Sequence, residues 1–72
     1  MNKFAERLKE LRKLNQITQK QIALETAITE RVYQSYEYGK VIPTATTLIT
    51  LADYFDVSLD YLVGRSDFKE RR

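Results

Sequence analysis

The 72-residue sequence predicts an all-α fold, a compact five-helix domain. Three observations lead there. Apolar residues recur at helical spacing, and no run alternates apolar with polar convincingly enough for a strand. Helix starts are marked by a Thr or Ser cap beside an apolar residue, or by a Pro-Thr pair. The chain breakers are few, Gly39, Gly64 and Pro43, and each stands at a helix boundary.

Phe4, Leu8 and Leu11 follow i, i+4, i+7 and predict a first helix from about Lys3 to Leu14, with Asn15 as a left-handed terminator. Thr18 with Gln21 fits a capping box, and Ile17 can staple onto Ile22. A short second helix then runs from about Gln19 to Glu25, with Ile22 and Ala23 inward. Ile28-Thr29 repeats the signal. Thr29 caps a third helix from Glu30 to Tyr38, which packs Tyr33 and Tyr36 and ends at Gly39. Pro43-Thr44 opens a fourth, carrying Leu48, Leu51, Ala52 and Phe55. Val57-Ser58 opens a fifth, with Ser58 as cap, Val57 against Leu62, and Gly64 closing it. The domain is thus expected over residues 1–64. Residues 65–72, polar around Phe68, read as a frayed tail or a truncated linker.

Composition narrows the function. A chain of 8.5 kDa is one domain, of a size that buries only ~60% of its unfolded surface. With no Cys and no His it has no thiolate metal site, cysteine nucleophile or imidazole base. No glycine-rich phosphate loop is present, so the chain is not read as an enzyme and no cofactor is expected. Asp53, Asp56 and Asp60 suggest a cation site only weakly, and no metal is expected. No apolar stretch approaches a membrane span or a signal peptide, so the expected location is cytoplasmic. Net charge is only +2, but it is unevenly spread. Residues 1–20 hold six bases against two acids, whereas 41–63 hold three Asp and no base. The split fits either an electrostatic front and back or ordinary solvated helix surface.

Gln19 to Tyr38 forms a short helix, a tight turn at 26–28 and a second short helix. Ala23 leaves room for a close crossing. Such a pair can hold one helix proud of the surface, as the helix-turn-helix does in the DNA major groove, although structural bundles use similar hairpins.

The wider pattern is more specific. Thr18-Gln19, Ala23, Tyr36-Glu37-Tyr38-Gly39-Lys40, Pro43, Leu48, Leu51-Ala52 and Val57-Ser58-Leu59-Asp60-Tyr61-Leu62 resemble the phage-repressor/Cro-like (Xre-type) helix-turn-helix regulators over about residues 3–64. The resemblance implies a lambda-repressor-like DNA-binding domain that acts as a dimer, usually a repressor, at the nucleoid. It implies base reading by Thr29, Glu30, Arg31 and Ser35 on the third helix. It also implies phosphate contacts at Gln19, Lys40, Thr44 and Thr46, Gln19 in addition bracing a base-contacting side chain. Arg12 and Glu37 match a partly buried ion pair that ties the first helix to the third.

Arg31 is the leading reader on chemical grounds, because its planar fork bonds guanine O6 and N7 together. Glu30 can accept from a cytosine amino group or simply complement the helix dipole. Two positions depart from the family pattern: Ala27 stands where Gly is frequent, and Tyr33 where a branched aliphatic is common. An isologous homodimer is expected through the last helix and tail, at Tyr54, Tyr61, Val63 and Phe68. The rival reading is a protein-interaction module of the same fold, such as an antitoxin or adaptor.

Overall fold

The computed structural model describes residues 3–71, and within them it is all-helical. Five helices follow one another: α1 (Lys3–Leu14), α2 (Gln19–Glu25), α3 (Glu30–Glu37), α4 (Ala45–Phe55) and α5 (Leu59–Val63). α1 packs on both α3 and α5, α2 on α3, and α4 on α5. The core they enclose is built from Phe4, Leu8, Leu11, Ile22, Ala23, Tyr33, Tyr36, Leu51, Ala52, Val57, Tyr61 and Leu62.

The four later helices start where the sequence indicates, although the capping box at Thr18 is only half made, since Gln21 turns its amide to Glu25 at 3.2 Å instead of back to Thr18. The hydroxyls of Thr18, Thr29, Thr44 and Ser58 accept from the backbone N–H three residues on. All five end alike, on a residue in the left-handed region: Gln16, Ala27, Gly39, Asp56 and Gly64. In each case the following N–H reaches back to the carbonyl five residues before it, as in Ile17 to Arg12 and Ile28 to Ala23. Three connections use one apolar residue twice. Ile17, Ile28 and Val57 each complete the preceding helix end and stand just before the next cap. That economy lets so short a chain fold five helices.

One terminator is displaced from the sequence expectation. The left-handed residue after α1 is Gln16, at φ 58°, not Asn15. Asn15 instead donates its side-chain amide to the Leu11 carbonyl at 2.7 Å. Gly64 is required where it stands: its φ is 89°, and a Cβ there would lie 2.5 Å from that of Lys3.

Residues 65–71 fold back rather than fray. Arg7 donates to the carbonyls of Tyr61, at 2.6 Å, and Ser66, and pairs with Asp67 at 2.7 Å. Its guanidinium lies 4.1 Å from the Tyr61 ring centroid. Ser58 holds the far end, its N–H donating to Lys69 O at 2.8 Å and its hydroxyl to Phe68 O at 3.1 Å. Arg71 closes on Asp53 and Asp56. Those two acids, considered from sequence for a cation, share the one guanidinium.

Candidate nucleic-acid interface

The α2–α3 pair is locked by its turn and by one polar cluster. Ala27, at φ 58°, turns the chain so that Ile28 enters the core edge and Thr29 caps α3. α3 buries Tyr33, Tyr36 and Glu37 on one side. Helical geometry then turns Arg31, Ser35 and Tyr38 to the opposite side, with Glu30 and Gln34 on one flank and Val32 on the other.

Glu37 is 3% exposed, yet every lone pair it needs to satisfy is met. Its Oε2 accepts from Arg12 Nε at 2.6 Å and from the Tyr33 hydroxyl at 2.6 Å. Its Oε1 accepts from Arg12 Nη2 at 3.2 Å and Gln19 Nε2 at 3.0 Å. Burial pushes the Glu37 carboxyl up, but bonds from Arg12, Tyr33 and Gln19 outweigh it and hold the pKa below the ordinary value. The same bond to Glu37 raises Arg12, while burial and Glu37 together raise Tyr33. Arg12 also donates to Ile17 O at 3.0 Å, so one guanidinium ties α1, the first turn and α3 together. The tyrosine at position 33, unusual for the resemblance, thus has its ring packed and its hydroxyl satisfied.

The readers suggested by sequence sit as follows. Glu30 and Arg31 are exposed, and no acid among the described residues pairs with Arg31. Thr29 is exposed, but its hydroxyl oxygen accepts from Val32 N at 3.2 Å. Ser35 is half-buried and donates its hydroxyl to Val32 O at 2.6 Å, leaving only acceptor capacity outward. Lys40 is exposed directly beyond α3, its N–H on Ser35 O at 3.0 Å. The Thr44 hydroxyl caps α4, and Thr46 lies in the first turn, where its N–H has no carbonyl of its own helix to bind. Arg12 and Gln19 gather at Glu37, whereas Thr44 and Thr46 engage only α4.

One residue of this cluster was not singled out from sequence. Gln34 donates to Gln19 Oε1 at 3.2 Å, so the side chain that Gln19 braces is Gln34. The available signal was its spacing, four residues after Glu30 and three after Arg31.

The basic N-terminal segment is less open than its charge count suggests. Arg7 and Arg12 turn inward, with side chains only 11% and 15% exposed, whereas Lys9, Lys13 and Lys20 remain exposed.

Comparison with known proteins agrees with this geometry. The family described as helix-turn-helix matches residues 8–62. The chain belongs to the helix-turn-helix family, in its Cro-like (Xre-type) branch. Among its relatives, the HTH-type transcriptional regulator YqaE of Bacillus subtilis strain 168 is 43% identical over 92% of this chain and 58% of its own. YobD, another HTH-type regulator of that bacterium, is 36% identical over 89% of this chain and 57% of its own. The cryptic phage CTXphi transcriptional repressor RstR of Vibrio cholerae is 41% identical over 88% of this chain and 56% of its own. This helix-turn-helix chain therefore spans a little over half the length of these relatives. No solved structure matches it. Among the described residues, no helix is long and apolar enough to cross a membrane.

Proposed function

We propose that this chain binds double-stranded DNA sequence-specifically and regulates transcription, as a repressor, by laying α3 in the major groove. The carrying observation is Arg31: exposed, without an acidic partner among the described residues, and held on a helix whose opposite side is fixed by Tyr33, Tyr36 and Glu37. Arg31 reads guanine through O6 and N7. Glu30 accepts from cytosine or excludes competing bases, and Thr29 and Ser35 allow close approach. Lys40, the free N–H of Gln19's amide and the first-turn N–H groups near Thr44 and Thr46 hold phosphates. The named regulators and the phage repressor among its relatives support this reading, which places the protein in the cytoplasm, at the nucleoid.

The chain works as a two-fold dimer, since one recognition helix covers too few base pairs for useful specificity. The sequence-based patch needs one change. Tyr61 is 9% exposed, its ring taken up by the core and by Arg7, so it contributes to the monomer instead. Tyr54 and Val63 are half-buried and Phe68 is 61% exposed, beside exposed Ile49 and Leu59. Ile49, Leu59 and Phe68 share one hollow of α4, α5 and the tail, which carries the dimer contact, whereas Tyr54 spends its hydroxyl on Glu25 of α2.

Selection of bound sequences from random duplex DNA, followed by footprinting, tests the proposal. The result expected is a near-palindrome with half-sites ~10–11 base pairs apart, roughly 34 Å. Binding without sequence preference, or tighter capture of a protein with no salt-sensitive DNA affinity, would overturn it.

A further inference from the structure

We infer that Tyr54 is a positioning residue for the reading helix: its hydroxyl, bonded to Glu25, braces the far end of α2 against α4 and so sets α3 relative to the phosphate anchors of α4. This rests on the reading of α3 as the DNA-reading helix and names a residue outside that helix on which its register depends.

α2 is held at both ends, by different partners. At its start Gln19 donates to Glu37 Oε1 at 3.0 Å, inside the cluster that Arg12 ties to α1. At its last residue, Glu25 Oε1 accepts from the Tyr54 hydroxyl. The other Glu25 oxygen accepts from Gln21 Nε2 at 3.2 Å, one turn back along α2, so the carboxylate is fixed to its own helix as it meets α4. Tyr54 is set from behind in the same way. Its ring packs against the core and stands edge-on to Phe55, with centroids 5.1 Å apart. The bonds from Tyr54 and Gln21 hold the Glu25 carboxyl below its ordinary pKa, and the bond to Glu25 pushes the Tyr54 hydroxyl up to about 12. At neutral pH one partner is an anion and the other keeps the proton it donates.

The bond crosses a joint where α2 and α4 share little packing. The main helix contacts join α1 to α3 and α5, α2 to α3, and α4 to α5. α2 and α3 thus form one pair, and pinned at Gln19 alone it could rock about that point. A second pin at Glu25 removes that freedom. α4 carries in its first turn the N–H groups near Thr44 and Thr46 assigned to phosphates. With those anchors seated, the Tyr54–Glu25 bond sets the angle at which α3 enters the groove. Bonds to base edges weaken steeply with misalignment, whereas phosphate contacts carry no sequence information, so the brace acts on specificity. Its effect is bounded, because a contact biases an orientation by no more than its own free energy.

Affinities for the selected duplex and for an unrelated duplex decide the matter, measured for the intact chain, Tyr54→Phe, Glu25→Ala and Glu25→Gln, with a thermal melt of each. Tyr54→Phe keeps the ring and the net charge and removes only the bond. It should lower the ratio of selected to unrelated affinity by roughly 2- to 12-fold, the span of one net hydrogen bond, while affinity for the unrelated duplex holds. Glu25→Ala and Glu25→Gln change the charge equally, but only the Gln carbonyl can still accept from Tyr54. Glu25→Gln should therefore keep more of the parent's ratio than Glu25→Ala, and adding Tyr54→Phe to Glu25→Ala should lower the ratio no further. If Tyr54→Phe leaves the ratio unchanged, or weakens both duplexes alike in step with a lower melting temperature, the bond is scaffold alone. The inference is then overturned and the reading of α3 survives. A parent that selects no sequence from random duplexes overturns both.

Discussion

The Tyr33 hydroxyl donates to Glu37 Oε2 at 2.6 Å, one helical turn along the same buried side of α3. Tyr33 is wholly buried, so its ring completes the core while its oxygen finds its partner in a carboxylate that Arg12 also holds. Recognition helix and scaffold thereby share one acid. Removing Glu37 strands the Arg12 charge and the Tyr33 hydroxyl together, and Glu37→Ala should cost ~3–5 kcal/mol. Tyr33→Phe, which removes one donor to a charged acceptor, should cost ~1.5–3 kcal/mol. Urea unfolding measures both. For a domain this small the first approaches the whole stability. A melting temperature within a few degrees of the parent would contradict the buried cluster.

The same acid predicts an acid-sensitive fold. The folded pKa of Glu37 lies below the ordinary value of a glutamate, so between the two the unfolded chain binds the extra proton. Its contribution is complete above about pH 5 and is lost as pH falls through the depressed folded value. Melting temperatures from pH 7 downward should fall in that acidic range, and Glu37→Gln, less stable at neutral pH, should lose part of that slope.

Ala27 holds φ 58° at the turn between α2 and α3. A left-handed L-residue costs roughly 1–2 kcal/mol, part of which Gly gives back through a freer unfolded chain. Ala27→Gly should therefore stabilise the fold by about 0.5–1 kcal/mol in urea unfolding. An unchanged or lower midpoint would show that the turn carries no strain.

Phe68→Asp tests the dimer without disturbing the backbone bonds of segment 65–71. Sedimentation at micromolar concentration should give about twice the monomer mass for the parent and the monomer mass for the variant. Truncation after Gly64 should also weaken the dimer, but it removes Ser66 and Asp67 from Arg7 and so lowers stability besides. A parent that stays monomeric and protects a single half-site would contradict the dimer.

The fold was legible because its signals are local. Each Thr or Ser cap stands beside an apolar residue, and the two glycines mark ends that need positive φ. What stayed hidden depends on tertiary partners. Gln16 and Asp56 take left-handed conformations that residue type alone does not announce. Arg7 reads as surface charge, yet carbonyls from Tyr61 and Ser66 draw it inward and pin a segment that looked frayed. At the candidate site, Arg12 and Glu37 could be paired from the resemblance. Gln34 could not, because its importance arises only where Gln19 meets it from another helix.

The most direct test of the central claim compares Arg31→Ala with Lys40→Ala on the selected duplex and on unrelated duplexes across a salt series. Reading of the major groove by α3 predicts that Arg31→Ala costs ~1–3 kcal/mol on the selected duplex and relaxes preference at one base pair. Lys40→Ala should weaken all duplexes about equally and flatten the slope of log affinity against log salt by about 1. Uniform loss from both variants would make Arg31 a phosphate contact and contradict the reading.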